Sequence, residues 1–151
     1  MQVNSSKKAL VLGALAALGL VFGVRGAAQG EGLPGGSSVE LEIAVGNGRG
    51  RVLCGVYDRS GWLRRPVRGA VASIRGGIAT CRFSELRPGT YAAGAFQDEN
   101  LNGRLDRRWT GLPSEPWCVT RESRGTIGAP SFESASFAVG AAPVHLRCRA
   151  R

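Results

Sequence analysis

From Val39 to Val45 the chain sets Val39, Leu41, Ile43 and Val45 against Glu40 and Glu42. A period of two places the four apolar side chains on one face, which a half-buried strand satisfies and a helix does not. The same beat returns along the chain. It predicts strands over 51–57, where Val52, Cys54 and Val56 oppose Leu53, Gly55 and Tyr57, then over 67–74 and 78–83. The segment 90–97 sets Tyr91, Ala93 and Ala95 against Ala92, Gly94 and Phe96, a composition suited to a strand buried on both faces. Two further strands are predicted over 134–139 and 143–148. About seven short strands, with no amphipathic helix and no internal repeat, constrain the chain to an all-β domain built as an antiparallel β-sandwich.

Gly46-Asn47-Gly48, Gly76-Gly77 and Arg87-Pro88-Gly89-Thr90 punctuate the strands, the last with Pro and Gly where a type II turn requires them. The 58–66 loop holds Trp62, expected as a lid over the core edge. The rhythm then breaks from Asp98 to Ser131. Loops of that length inside a domain are functional or disordered. Trp109, Pro113, Pro116, Trp117 and Cys118 favour an ordered excursion.

The ends of the chain speak to its compartment. Lys7 and Lys8 precede the apolar run Ala9 to Phe22, and Gly26-Ala27-Ala28 offers small residues for cleavage, so 1–28 is expected to be a signal peptide. A run of 14 residues falls short of the ~20 that span a bilayer, so no stable membrane span is expected after cleavage. Residues 29–38, rich in Gly and Pro, read as a flexible lead-in to a domain over 39–151. The expected location is secreted or periplasmic. Taking Lys7, Lys8 and Arg25 from the 20 basic residues leaves 17 against 11 acids, a net charge of +6. These arginines are scattered rather than striped, which argues against nucleic acid and for attraction to anionic envelope polymers.

Four cysteines in an exported domain read as two disulfides, for which three pairings exist. The pairing favoured is Cys54–Cys81 with Cys118–Cys148, which ties the long excursion to the last strand. No C-x-x-C spacing suggests a metal-thiolate site.

The chemistry concentrates in Asp98-Glu99-Asn100-Leu101-Asn102-Gly103-Arg104-Leu105-Asp106. Asp98, Asn100, Asn102, the Arg104 carbonyl and Asp106 stand at the first, third, fifth, seventh and ninth places of a calcium loop, with Gly103 at the sixth. Oxygen ligands suit a hard cation, so a structural Ca²⁺ is expected. The twelfth place holds Trp109 instead of a bidentate Glu, leaving Glu115 or water to complete the sphere. The alternative is a polar turn in which Asx side chains cap their own backbone.

A catalytic role has little to stand on. His145 is the only histidine and sits on a predicted strand, no G-x-S-x-G or H-E-x-x-H occurs, and the thiols are expected in disulfides. Paired carboxylates drawn from Asp98, Glu99, Asp106 and Glu115 are the one hydrolase alternative, acting on glycans or envelope polymers. A binding module is the better expectation: Trp109, Trp117, Arg107 and Arg108 on a rigid loop would dock an envelope protein or an anionic glycan. The competing expectation is that both tryptophans pack onto the sheet, and their exposure decides between the two.

Four motifs occur in order: Leu86-Arg87-Pro88-Gly89-Thr90-Tyr91-Ala92, then Gln97 through Asp106, then Gly111-Leu112-Pro113-Ser114-Glu115, then Pro130-Ser131-Phe132-Glu133-Ser134-Ala135-Ser136-Phe137. Together, from Val39 to the C-terminus, they resemble a family of secreted bacterial proteins catalogued as domain of unknown function 2141. Gln97 stands where the family pattern has histidine, and Trp117-Cys118-Val119 where it has an aromatic and glycine-rich run. The resemblance implies export and an Ig-like or transthyretin-like sandwich, and it brings no activity.

Overall fold

The structure is a computed structural model that describes residues 37–123, 125 and 128–151. The segment read as a signal peptide and residues 29–36 of the expected lead-in lie outside the described residues. Ser37 and Ser38, read as the end of that lead-in, already belong to the first strand, β1 (Ser37–Ala44).

The period-two segments become β2 (Arg51–Tyr57), β3 (Arg68–Ala72), β4 (Ile78–Leu86) and β5 (Gly89–Asp98). A three-residue strand, β6 (Trp117–Val119), lies inside the expected loop, followed by a 3-10 turn over Thr120–Glu122. The segment expected as a strand from 134 opens instead as a one-turn helix, α1 (Phe132–Ala135), with β7 (Ser136–Val139) after it. Ser131 explains the switch: its hydroxyl accepts a hydrogen bond from the Ser134 N–H, capping the turn before the strand begins. β8 (Val144–Arg149) ends the fold.

The strands form two sheets, β4-β1-β8 and a five-stranded β3-β2-β5 sheet whose β5 edge is shared by β7 and β6. β7 pairs with Gly89–Ala92 and β6 with Gly94–Phe96. Between them the Ala93 N–H reaches the buried Thr120 hydroxyl (3.1 Å), which lies 2.5 Å from the Ala135 carbonyl. One side chain thus closes the gap in the ladder. The sandwich is not purely antiparallel, because β8 runs parallel to β1 with Val39 opposite Val144 and Ile43 opposite Cys148. Parallel neighbours need a long crossover, and the chain between β1 and β8 supplies it.

Val39, Leu41 and Ile43 from β1 meet Val52 and Val56 from β2 and Ala79, Cys81 and Phe83 from β4 in one buried core. Both expected disulfides are present, and each crosses between the sheets: Cys54 of β2 to Cys81 of β4, Cys118 of β6 to Cys148 of β8. The outer face of β5 is covered too, as its small residues imply. Ala92, Val119, Phe132 and Ala135 make a second cluster there. Trp62 joins that outer cluster, edge-on to Tyr57 and Phe132, with its indole N–H on the Pro130 carbonyl at 2.8 Å.

Candidate functional site

β5 delivers Asp98 fully buried at the mouth of the excursion. One carboxylate oxygen accepts the Asn102 N–H at 2.9 Å; the other accepts the Gly103 N–H at 3.0 Å and Arg51 Nε at 3.1 Å. Three donors on one carboxylate wrap the backbone round it, with Leu101 and Gly103 at positive φ to make the bend. Glu115, also buried, closes the loop from behind: its oxygens accept the N–H groups of Glu99 and Asp106, each at 3.0 Å.

Asn100 and Asn102 both turn their side-chain amides onto Asp106, at 2.6 Å and 2.9 Å from the same oxygen. Those amides, Asn102 first and Asn100 next, hold the Asp106 carboxyl below the ordinary carboxylate range. Arg104 adds its guanidinium at 3.6 Å and donates its backbone N–H to the Asn102 side chain at 3.0 Å. The loop therefore brings Asn100, Asn102 and the Arg104 guanidinium onto Asp106, while Asp98 holds the backbone N–H groups of Asn102 and Gly103. Glu115 is there as well, bonded to the backbone at both ends of the loop. Among the described residues no three His, Cys, Asp or Glu side chains group as a metal centre, so any cation here draws on the asparagines as well.

A depressed folded-state pKa gives a definite sign. The Asp106 contribution is complete above its unfolded pKa and is lost as pH falls through the lower folded value. Acid titration followed by NMR should keep the Asn100 and Asn102 side-chain amide signals dispersed below the ordinary carboxylate range and collapse them only in stronger acid. Collapse already within the ordinary range would mean that the contacts do not hold the charge.

Past Asp106 the chain folds into a small hairpin. Arg107 bridges Pro113, the Arg108 N–H reaches the Leu112 carbonyl and the Gly111 N–H reaches the Arg108 carbonyl, both at 2.8 Å. Trp109 occupies the tip and is 97 % exposed. Trp117 behaves in the opposite way: on β6 it is half-buried against the outer cluster. The two tryptophans thus divide between the two expectations, Trp109 free and Trp117 packed. Arg107 and Arg108 are both exposed.

Sequence reasoning missed the partners of this loop. The turn between β1 and β2 is laced to it: Asn47 donates to the Glu99 carboxylate at 2.9 Å, and buried Gln97 donates to the Asn47 side chain and the Arg49 carbonyl, both at 2.7 Å. The available signal was Gln97 itself, a polar side chain where the family pattern has another hydrogen-bonding residue. Its Oε1 has no partner among the described residues.

The model of a family described as "Uncharacterized protein conserved in bacteria (DUF2141)" matches residues 43–147. No curated protein and no solved structure matches the chain.

Proposed function

We propose that this chain, which belongs to that uncharacterised bacterial family, is a non-catalytic binding module that docks an anionic envelope glycan through the Trp109 hairpin. The two disulfides fit an exported protein, extracellular or periplasmic. One observation carries the reading: an indole 97 % exposed at the tip of a hairpin whose base is hydrogen-bonded in place. Leaving such a ring in water forgoes roughly 2–3 kcal/mol of burial, a cost that a binding surface recovers when its partner arrives. Arg107 and Arg108, both exposed just before Trp109, favour an anionic partner. A flat sugar ring stacks on the indole while its acid group meets a guanidinium.

The hairpin is held by the loop beneath it, and we assign that loop a structural Ca²⁺. One Asp98 oxygen accepts only the Asn102 N–H and keeps acceptor capacity for a cation, while the other is filled by the Gly103 N–H and Arg51. Turning over the Asn100 and Asn102 amides presents two more oxygens beside Asp106, with the Arg104 carbonyl and water for the rest. Glu115, occupied with backbone donors, shapes the loop from outside. The expected affinity is that of an extracellular module, Kd ~10⁻⁴–10⁻³ M. The hydrolase alternative has weaker support. Asp98 and Glu115 hold backbone hydrogens at both ends of the loop, His145 lies 3.6 Å from Glu40 on another sheet, and all four thiols are in disulfides.

Calorimetric titration with an acidic polysaccharide such as polygalacturonate, against neutral dextran, tests the module. Trp109→Ala should weaken binding by about thirtyfold, the cost of about 2 kcal/mol typical of an aromatic anchor. Binding that ignores the substitution sinks the hairpin as the contact, and binding to an envelope protein alone replaces the glycan. For the ion, about 1 mM calcium at Kd ~10⁻⁴ M should add about 1.4 kcal/mol, lost in chelator and in Asp106→Ala. No heat and no shift at that concentration reduces the loop to a polar turn.

A further inference from the structure

Beside the hairpin, the outer face of the five-stranded sheet carries a second feature, which shares only Arg107 with the glycan reading. Gly69, Gly55 and Gly94 stand directly opposite one another on β3, β2 and β5, so one row across the sheet has no side chains. The neighbouring row on the same face is Val71, Leu53 and Phe96, in equally direct register. A bare row beside a bulky row makes a trough. The Tyr57 ring folds over Gly55, where an added Cβ would lie 2.7 Å from it, so the trough lies open at Gly69; Trp117, opposite Phe96, extends the bulky row, and Leu105 and Leu112 also line the groove. The result is an open groove of about 690 Å³, within the ~300–1,000 Å³ of sites that take small molecules.

Its lining is apolar and partly wet. Leu63, Val71 and Leu112 all border it, and they are 39 %, 62 % and 59 % exposed. Three large apolar side chains left in water along one groove mark a surface kept for a ligand. Among the described residues only one lining side chain is charged, Arg107. One of its N–H groups goes to the Gly111 carbonyl at 2.9 Å. A guanidinium has five donors, and the rest match a carboxylate or phosphate.

We propose that this groove binds a single-chain anionic amphiphile, its hydrocarbon tail over Gly69 and along Val71, Leu53 and Phe96 and its acid group on Arg107. The groove supplies length without polar partners, which suits an alkyl chain and not a sugar, and Arg107, the one charged lining side chain among the described residues, fixes the sign of the head.

Dodecanoate below its micelle concentration is the probe, with dodecanol as its uncharged counterpart, titrated calorimetrically into the oxidised protein. Gly69→Leu is the blocking variant. Gly69 sits on a strand with ordinary φ, and a Cβ there meets only the Cys54 carbonyl at 3.8 Å, so the added side chain fills the groove without straining the backbone. Saturable dodecanoate binding, lost in Gly69→Leu, is expected. Arg107→Ala should weaken dodecanoate about tenfold, the order expected of a hydrogen bond to a charged group, and leave dodecanol as it was. No dodecanoate binding, or binding that survives Gly69→Leu, overturns the site. Equal binding of acid and alcohol, with no response to Arg107→Ala, overturns the anionic head. The glycan reading stands or falls separately on Trp109→Ala.

Discussion

Replacing both disulfides, Cys54→Ala with Cys81→Ala and Cys118→Ala with Cys148→Ala, should leave the chain unfolded at 37 °C. The bridges close loops of 27 and 30 residues. In the chain-entropy account each loop of that size contributes about 3.5 kcal/mol. Together they supply roughly 7 kcal/mol, comparable with the ~5–15 kcal/mol that holds a whole domain. Their placement adds to the effect. Each joins one sheet to the other, so its loss frees the two layers to part across the core that Val39, Leu41, Val52 and Val56 fill. The single pairs are not equivalent. Cys54–Cys81 links two long strands already in the main core, whereas Cys118 sits on β6, a strand of three residues with few other ties. Removing either pair should lower the melting temperature by roughly 15 °C for a domain of this size. Without Cys118–Cys148, the β6 amides should also exchange with solvent well before global unfolding. Circular-dichroism melts of the three variants beside the parent protein, with hydrogen exchange, read both effects. A fully reduced protein melting cooperatively within a few degrees of the oxidised one would refute the account.

What could be read from the sequence, and what could not, divides by the range of the interaction. Val39 to Val45 announces a strand because its alternation is local and decisive, and β2 and β5 are announced the same way. Two disulfides follow from the count of four cysteines, but three pairings stay open until the sandwich brings Cys54 to Cys81 and Cys118 to Cys148. β6 escapes notice because three residues carry no period, and its place is fixed by pairing with Gly94–Phe96 more than twenty residues away. α1 replaces the start of a strand because of one serine cap, a contact that alternation does not register. The parallel partner of β1 is equally invisible, since parallel and antiparallel edges read alike in a lone strand. The loop is the instructive case. Its Asx residues were legible, and the structure draws Asn100, Asn102 and Asp106 into hydrogen bonds with one another. The roles of Arg51, Asn47 and Glu115 were not, because each reaches the loop from elsewhere in the chain.

Gly50→Ala should be the most damaging single substitution near the site, although Gly50 touches no ligand and lies outside every motif. It has φ +70, and a Cβ built on it would lie 2.0 Å from the Asp98 carbonyl oxygen and 2.7 Å from the Glu99 Cα. Those are backbone atoms, so no rotamer change relieves the clash. The turn must lift away from the root of the loop, stretching the contacts of Asn47 with Glu99, Gln97 with Asn47, and Arg51 with Asp98. Left-handed strain and the forced displacement together should cost on the order of 2–4 kcal/mol. Gly48→Ala, two residues earlier in the same turn, is the control. Nothing lies within 4 Å of its Cβ position and its φ is not among the positive ones, so the change should be nearly neutral. The damage should spread from the turn to the loop: amide exchange at Asn102 and Gly103, both donors to Asp98, should rise in Gly50→Ala and stay slow in Gly48→Ala. Equal stabilities for the two variants would mean that the turn and the loop are not coupled. The 107–113 hairpin would then rest on Asp98 and Glu115 alone.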